Sequence, residues 1–278
     1  MTKESYIKKK ENMPIVSIVV ATFNAEKYIE DCINSLVGQT YKNIEIIICD
    51  DCSTDATPAI LDKLKSKDNR IRVFTNKTNL RAAASRNKCI ENSIGRYIMI
   101  QDSDDICERD RVQILLDELL QNENVNFVSS GHYLFDDDGI YKTVTPKIEL
   151  PQNDDFLFGM PFCHAATMFK ASCLKKVGGY RVSKETRRGQ DYDLFMRLYS
   201  NGYKGKNIAD VLYGYRVDKN TISRRRFKYR IDECKIRYKG FKALNLMPKG
   251  YIYVLKPLAA HFYQLINGLI KHKLYKRL

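Results

Sequence analysis

The chain has 278 residues, of which 44% are hydrophobic and 29% charged, a composition that excludes a disordered tail or a fibre. Its 47 Lys and Arg against 33 Asp and Glu give a formal net charge of +14. Eight cysteines are too few and too scattered for a small disulfide-stapled domain. The N-terminal residues contain no apolar segment of the secretory type, so we expect a cytoplasmic protein with reduced thiols.

The first hundred residues alternate between short apolar runs and segments with the apolar spacing of a helix. The β-branched runs predict buried strands at residues 15–21, 45–49, 72–75 and 97–101. Helices are predicted between them, with Asn24 as the cap of the first and residues 81–92 as the third. This alternation predicts an α/β fold with a single mixed, mostly parallel sheet flanked by helices.

The second half of the chain is less regular. Strands are predicted at 127–130 and 164–169, a turn at 136–139 and a helix at 191–198. Residues 219–278 contain 16 Lys and Arg but 2 Asp and Glu, whereas the residues before them carry no net charge. We therefore predict a domain of residues 1–218 and a basic helical extension of residues 219–278 that has an anionic partner.

Two of the predicted strands end in acidic residues. Asp50 and Asp51 follow the second strand, and the sequence DSDD follows the fourth at residues 102–105. Because open α/β sheets bind ligands at the carboxyl ends of their strands, we expect a single site there. Carboxylates spaced like Asp102 and Asp104 suit a hard divalent cation that bridges to phosphate oxygens. The alternative interpretation is a helix cap in an acidic turn.

Several motifs, in order along the chain, resemble those of family 2 glycosyltransferases. They are VSIVVATFN at 16–24, QTYKNIEIIICDDCSTD at 39–55, ASRN at 84–87, SIGRYIMIQDSDD at 93–105, HAATMFK at 164–170, VGGY at 177–180 and QDYDLFMRL at 190–198. The resemblance covers residues 14–217. It implies the GT-A fold and an inverting transfer of a sugar from a nucleotide donor.

The resemblance also implies roles for individual residues. Contacts to the donor nucleotide are implied for Phe23, Asp50, Asp51, Arg86 and Asp102. Asp104 would hold a divalent metal, Mn²⁺ or Mg²⁺, and Asp191 would be the general base that deprotonates the acceptor hydroxyl. Candidates for contacts to the acceptor or to the donor diphosphate are His164, Arg187 and Arg188.

Two positions depart from the family pattern. Arg81 stands where a glycine is frequent, which leaves the local turn open. Gln190 replaces the glutamate that usually precedes the base. Loss of that neighbouring carboxylate removes one cause of a raised pKa at Asp191 but leaves the base itself in place.

The implied reaction moves a sugar from a UDP-sugar to a hydroxyl of a lipid-linked glycan, for a cell-surface polysaccharide. We expect the protein on the inner face of the cell membrane, where an in-plane helix within 252–270 and the cluster RRRFKYR at 224–230 would bind anionic lipid. The alternative is that the extension only packs on the catalytic domain.

Two other function classes stay open at this point. One is a nucleic-acid-binding protein that uses the basic extension, and the other is a sugar-nucleotide binder without catalytic activity. We expect no nucleic-acid partner, because the acidic strand ends would repel phosphate backbones and the chain has no nucleic-acid recognition motif.

Overall fold

The computed structural model describes residues 13–217, 227–260 and 263. The chain divides into two compact units. The first unit comprises Met1–Pro151, Pro161–Tyr180 and Tyr203–Val217, and the second comprises Gln152–Met160, Arg181–Gly202 and Asp218–Leu278. Two segments that precede residue 218 therefore group with the C-terminal residues. The functional division into residues 1–218 and 219–278 stays a prediction.

The first unit contains one nine-stranded sheet, counted over the described residues. Its strands are β1 (Val16–Thr22), β2 (Ile44–Asp50), β3 (Ile71–Thr75), β4 (Tyr97–Asp102), β5 (Ile106–Cys107), β6 (Phe127–Asp136), β7 (Gly139–Val144), β8 (Thr167–Lys170) and β9 (Gly205–Arg216). They lie in the order β3-β2-β1-β4-β8-β6-β9-β5, with β7 beside β6.

The sheet is mixed, as the sequence predicts. β1 pairs in parallel with β2 and with β4, and β2 pairs in parallel with β3. This N-terminal half is parallel because a helix follows each of the first three strands and returns the chain to the same edge. The other half is largely antiparallel: β8 pairs with β4 and β6, β7 with β6 and β5 with β9, whereas β6 and β9 run parallel.

Helices of the first unit supply the apolar faces that cover this sheet. They are α1 (Ile29–Val37), α2 (Thr57–Lys67), α3 (Ala82–Glu91), α4 (Arg111–Gln121) and α5 (Ala171–Lys176). Alternate residues of β1, namely Val16, Ile18 and Val20, share one core cluster with buried side chains of α1, α2 and α4. Alternation is expected because successive side chains of a strand point to opposite faces of the sheet.

The start of α1 differs from the prediction. The helix begins at Ile29, and Asn24 does not cap it. Asn24 instead adopts a left-handed conformation, with φ of 49°, and its Oδ1 accepts a hydrogen bond of 2.9 Å from the backbone N–H of Thr54. Asn24 therefore joins the loop after β1 to the loop after β2.

The second unit contains helices α6 (Gln190–Ser200), α7 (Phe227–Ala243) and α8 (Gly250–Val254), and α6 packs on α7. Most of residues 255–278 lie outside the described residues, and so do residues 218–226, which include the first three residues of the RRRFKYR cluster at 224–230. The predicted basic helical extension therefore stays a prediction. Within the described ranges, no helix is both long and apolar enough to cross a membrane.

Candidate functional site

The acidic ends of β2 and β4 lie on either side of the end of β1. Thr22 of β1 is level with Asp50, and Ala21 is level with Asp102. Two strand spacings separate these carboxylates, which corresponds to about 10 Å. Phe23, which follows β1 directly, is 47% exposed at the same edge. The structure thus brings four of the five donor-site candidates to one edge of the sheet, since Asp51 follows Asp50.

Asp102 forms an ion pair with Arg86 of α3, with 2.5 Å between Oδ1 and Nη2. Burial alone would raise the pKa of Asp102, but the charges of Arg86 and His164 outweigh it and hold the pKa below its ordinary value. Asp102 is therefore ionised at neutral pH. Arg86 is oriented in turn by the ring of Tyr180, whose centroid lies 5.6 Å from the guanidinium carbon.

His164 belongs to this cluster. Its Nε2 lies 2.6 Å from the hydroxyl of Tyr180, and both side chains are buried. A chain of contacts therefore runs from His164 through Tyr180 and Arg86 to Asp102. The segment is a 3₁₀ turn, His164–Ala166, followed by β8, where the sequence predicts one continuous strand.

Asp105 is a buried carboxyl that the sequence analysis grouped with the acidic turn without assigning it a role. It accepts hydrogen bonds from the hydroxyl of Tyr213 (2.5 Å) and the backbone N–H of Arg216 (2.7 Å). Burial, with the charges of Asp102 and Asp104, raises the pKa of Asp105 to about 8. Asp105 thus anchors the turn after β4 to β9.

Arg111 is a second residue that the sequence analysis missed. It is fully buried, and its guanidinium donates to Gln101 Oε1 (2.7 Å) and to the carbonyls of Ile100 (2.9 Å) and Ala165 (2.7 Å). The one available signal is an arginine at the first position of an amphipathic helix, where its charge is unfavourable for the helix dipole. Arg111 fastens α4 to the end of β4.

Asp104 is the carboxylate of this turn that stays available to a ligand. Its side chain is exposed, and no other residue in the described part of the chain donates to its carboxylate. Loss of solvation by the surrounding protein, together with the charge of Asp102, raises its pKa. A cation near Asp104 would relieve this repulsion.

The carboxylates of Asp102 and Asp104 fit a divalent cation whose other ligands would be phosphate oxygens. The described residues contain no group of three or more His, Cys, Asp or Glu side chains that could hold a metal. Mg²⁺ is commonly held by one or two carboxylates and by substrate phosphates, without an all-protein cage. Asp104, with Asp102 beside it, matches that arrangement.

Asp50 and Asp51 are buried and already bonded within the protein. Asp50 accepts from the hydroxyl of Ser53. Asp51 accepts from Asn76 Nδ2 (2.8 Å) and from the backbone N–H groups of Leu80 (2.9 Å) and Arg81 (2.6 Å). Asp51 therefore shapes the loop that leads into α3, and a nucleotide base would have to use its remaining acceptor capacity.

Asp191 lies in the second unit, in the first turn of α6, and lines a cavity of about 440 Å³. Its Oδ1 accepts from the backbone N–H of Tyr192 (2.8 Å), and over the described ranges no cation pairs with it. Asp193 differs, because it is buried and paired with Arg181 (2.6 Å) and Arg197 (2.8 Å). Asp193 is therefore structural, and Asp191 is the available carboxylate.

The two candidate arginines before α6 have different surroundings. Arg188 lines the cavity, and its guanidinium carbon lies 5.4 Å from the centroid of the Tyr229 ring. Arg187 is exposed and does not line the cavity. Three charged side chains of α7 also line the cavity, namely Arg230, Glu233 and Arg237. The sequence pattern assigns Arg230 to a lipid-binding cluster and gives Glu233 and Arg237 no site.

Residues 17–178 match the sequence model described as Glycosyl transferase family 2. Because this match spans more than half of the chain, the chain belongs to glycosyltransferase family 2. The resemblance predicted from the motifs is thereby confirmed.

Two relatives extend the similarity beyond the family match. EpsE of Bacillus subtilis (strain 168), a protein assigned as a glycosyltransferase, is 36% identical over 251 residues, which are 90% of each chain. UDP-Glc:α-D-GlcNAc-diphosphoundecaprenol β-1,3-glucosyltransferase WfaP of Escherichia coli is 32% identical over 260 residues, which are 94% of this chain and 96% of WfaP.

Two solved structures share the fold. TarS of S. aureus, residues 1–349 in complex with UDP-GlcNAc, superposes with a TM-score of 0.71 at 20% identity, over 90% of this chain and 73% of that chain. The mannosyltransferase PcManGT of Pyrobaculum calidifontis, in complex with GDP-Man and Mn²⁺, gives 0.62 at 19% identity, over 95% and 81%. The predicted GT-A fold is confirmed.

Proposed function

We propose that this chain transfers a sugar from a UDP-sugar to a hydroxyl of a lipid-linked glycan, with inversion at the anomeric carbon, in the synthesis of a cell-surface polysaccharide. The observation that carries the proposal is the turn after β4, where an ionised Asp102 and an exposed Asp104 stand beside Arg86. The names of WfaP and of the TarS complex, which specify UDP-linked donors, support the choice of UDP.

The donor would bind along the edge formed by β2, β1 and β4. The exposed ring of Phe23 offers a face for the base, and Asp51 offers a carboxylate acceptor to the base N–H. Asp102, held by Arg86, offers an acceptor to the ribose hydroxyls. Arg86 contributes positive charge toward the diphosphate, and His164 lies beside it through Tyr180.

Asp104 would hold Mg²⁺ or Mn²⁺ against the donor diphosphate. The metal, when bound, would act as a Lewis acid that offsets the negative charge of the leaving nucleoside diphosphate. Asp105 and Arg111 would hold the turn after β4 in position, because Asp105 bonds to β9 and Arg111 connects the end of β4 to α4. Neither of them would contact the donor.

Asp191 would take the proton of the acceptor hydroxyl as the new C–O bond forms, because a hydroxyl has too high a pKa to attack unaided. Its carboxylate has no ion-pair partner among the described residues, which leaves it able to accept a proton. A single displacement, with no nucleophile from the protein, inverts the anomeric configuration. An α-linked UDP-sugar would therefore give a β-linkage.

The test is a donor-hydrolysis screen with UDP-, GDP- and dTDP-sugars, each with Mn²⁺ or with EDTA, in which the released nucleoside diphosphate is measured. We expect release from a UDP-sugar, loss of at least 100-fold with EDTA or in Asp104→Ala, and no change in the exposed-carboxylate control Asp110→Ala. Release that persists with EDTA and in Asp104→Ala would contradict the metal role.

The variant Asp191→Asn distinguishes general-base catalysis from donor binding. We expect this variant to bind UDP with unchanged affinity and to lose at least 100-fold in transfer to acceptor, because general-base catalysis supplies a factor of about 10²–10⁴. Full transfer activity in Asp191→Asn would show that another group takes the proton.

A further inference from the structure

We propose that the cavity of the second unit binds the phosphate groups that join the acceptor sugar to its lipid, and that Arg188 and Arg230 hold them. The inference rests on the proposed function, because it gives the acceptor its chemistry. It differs from that function in placing acceptor recognition on residues that lie outside the family match at 17–178.

The lining of the cavity contains three guanidinium groups, and ion pairs to Glu233 engage two of them. The three groups belong to Arg188, Arg230 and Arg237. Arg230 and Arg237 both pair with Glu233, at 3.2 Å and 3.3 Å. Glu185 also lines the cavity but pairs with Lys239 at 2.6 Å. Asp191 is the third carboxylate of the lining, so three arginines face three carboxylates. Arg188 is the lining cation with which no described carboxylate pairs, and an anionic ligand would bind there.

Arg188 is positioned for an anion before any ligand arrives. Its guanidinium carbon lies 5.4 Å from the centroid of the Tyr229 ring, and over the described ranges no carboxylate pairs with it. Stacking on a ring leaves the N–H edge of a guanidinium free for phosphate oxygens. Because the stack restricts the side chain, less conformational entropy is lost on binding.

Arg230 supplies a donor that the protein itself does not satisfy. Its Nε is buried, and no acceptor in the described part of the chain lies within hydrogen-bond distance. A buried polar group without a partner is costly, and Arg230 lines the cavity, so a hydrogen bond from this donor to a ligand oxygen would remove that cost. Phosphate oxygens are suited to this donor, since charge-assisted hydrogen bonds to arginine are strong.

Arg237 also lines the cavity, but its contacts are to other residues of the protein. Its guanidinium contacts the Tyr192 ring, with 5.2 Å to the centroid, and donates to Glu233 and to the carbonyl of Leu157 (3.4 Å). It is therefore committed to the protein and supports the cavity. The volume of about 440 Å³ is in the range of small-ligand pockets and exceeds what a phosphate alone requires.

The experiment measures equilibrium binding by calorimetry in EDTA, which keeps metal-dependent donor binding out of the measurement. The probes are farnesyl diphospho-GlcNAc, octyl N-acetylglucosaminide, octyl glucuronide and inorganic pyrophosphate. We expect the first probe to bind at least tenfold more tightly than each of the others, because two charge-assisted contacts and the sugar act together.

The variants are Arg188→Gln and Arg230→Gln, with Lys184→Gln as a control for loss of one exposed positive charge nearby. Each arginine variant should lose about tenfold in affinity for the diphosphate probe, retain its affinity for the octyl glycoside and retain its UDP binding in Mn²⁺. Thermal unfolding of each variant checks that it is folded.

The outcomes distinguish this inference from the proposed function. Equal affinity for the diphosphate and the octyl glycoside, tighter binding of the glucuronide, or binding of pyrophosphate as tight as that of the lipid-linked sugar would each overturn the inference while the hydrolysis screen stands. Arginine-dependent binding of the diphosphate probe without any donor hydrolysis would support the cavity and contradict the donor assignment.

Discussion

At the residue scale, Arg81 shows how the protein replaces a frequent glycine. Arg81 precedes α3 with φ of 73° and ψ of 166°, a region that is almost restricted to glycine. The conformation is held by Asp51, which accepts hydrogen bonds from the N–H groups of Leu80 and Arg81. The backbone thus keeps the shape that a glycine would give, and a cationic side chain is added to the loop.

Arg81→Gly should raise the free energy of unfolding by about 1 kcal/mol. Relief of about 1–3 kcal/mol of backbone strain outweighs the greater flexibility that glycine gives the unfolded chain, about 0.5–1 kcal/mol. Urea unfolding followed by circular dichroism measures the change. As a control, Arg109→Gly, at an exposed turn residue without positive φ, should lower the same free energy by about 0.5–1 kcal/mol. Equal losses in both variants would show that Arg81 is unstrained.

At the element scale, the pairing of β6 with β9 depends on one close approach. Gly205 of β9 is level with Phe127 of β6, and a side chain at Gly205 would meet the ring of Phe127. That ring is fully buried and packs on Phe162 and Phe169, with centroid distances of 4.9 and 5.3 Å. The ring therefore has no space into which to move.

Gly205→Ala should lower the free energy of unfolding by about 2–3 kcal/mol, because overpacking a dense core forces side chains and backbone to shift. Denaturant unfolding measures the loss. The matched test is a double-mutant cycle with Phe127→Leu, in which the alanine should cost at least 1 kcal/mol less. Purely additive effects would mean that the Phe127 ring is not the obstacle.

At the scale of the whole molecule, part of the net charge of +14 comes from lysines on one exposed face of α7. Lys228, Ile231, Lys235, Tyr238 and Lys242 follow one another at helical spacing, and all are exposed. We call these five residues the lysine stripe. Cations interleaved with apolar side chains on one helix face are typical of a helix that lies on an anionic membrane.

The triple variant Lys228→Gln, Lys235→Gln, Lys242→Gln should bind anionic vesicles at least tenfold more weakly than the unchanged chain. Each lysine near an anionic surface contributes about 1 kcal/mol, which is screened by salt. Co-sedimentation with vesicles containing phosphatidylglycerol, at low and at high salt, measures the affinity, and phosphatidylcholine vesicles are the control. Unchanged, salt-insensitive binding by the triple variant would contradict membrane contact through the lysine stripe.

Much of the fold follows from local patterns in the sequence. The apolar runs that predict the first four strands agree with β1 to β4 within one residue at each end, and the DDDG turn joins β6 to β7. Such patterns are reliable because side-chain alternation and turn chemistry depend on neighbouring residues. Asn24 shows the limit, since a loop 30 residues away decides what its side chain bonds.

By itself, the sequence determined the alternation of strands and helices, the acidic strand ends and the family. Only the tertiary structure decided which carboxylates are available. Asp105 is bonded to Tyr213 and Asp193 to two arginines, whereas Asp104 and Asp191 have no such partners among the described residues. The sheet order and helix packing bring residues that are distant along the chain, such as Asp105 and Tyr213, into contact. The local spacing of apolar residues does not indicate which distant residues will pair.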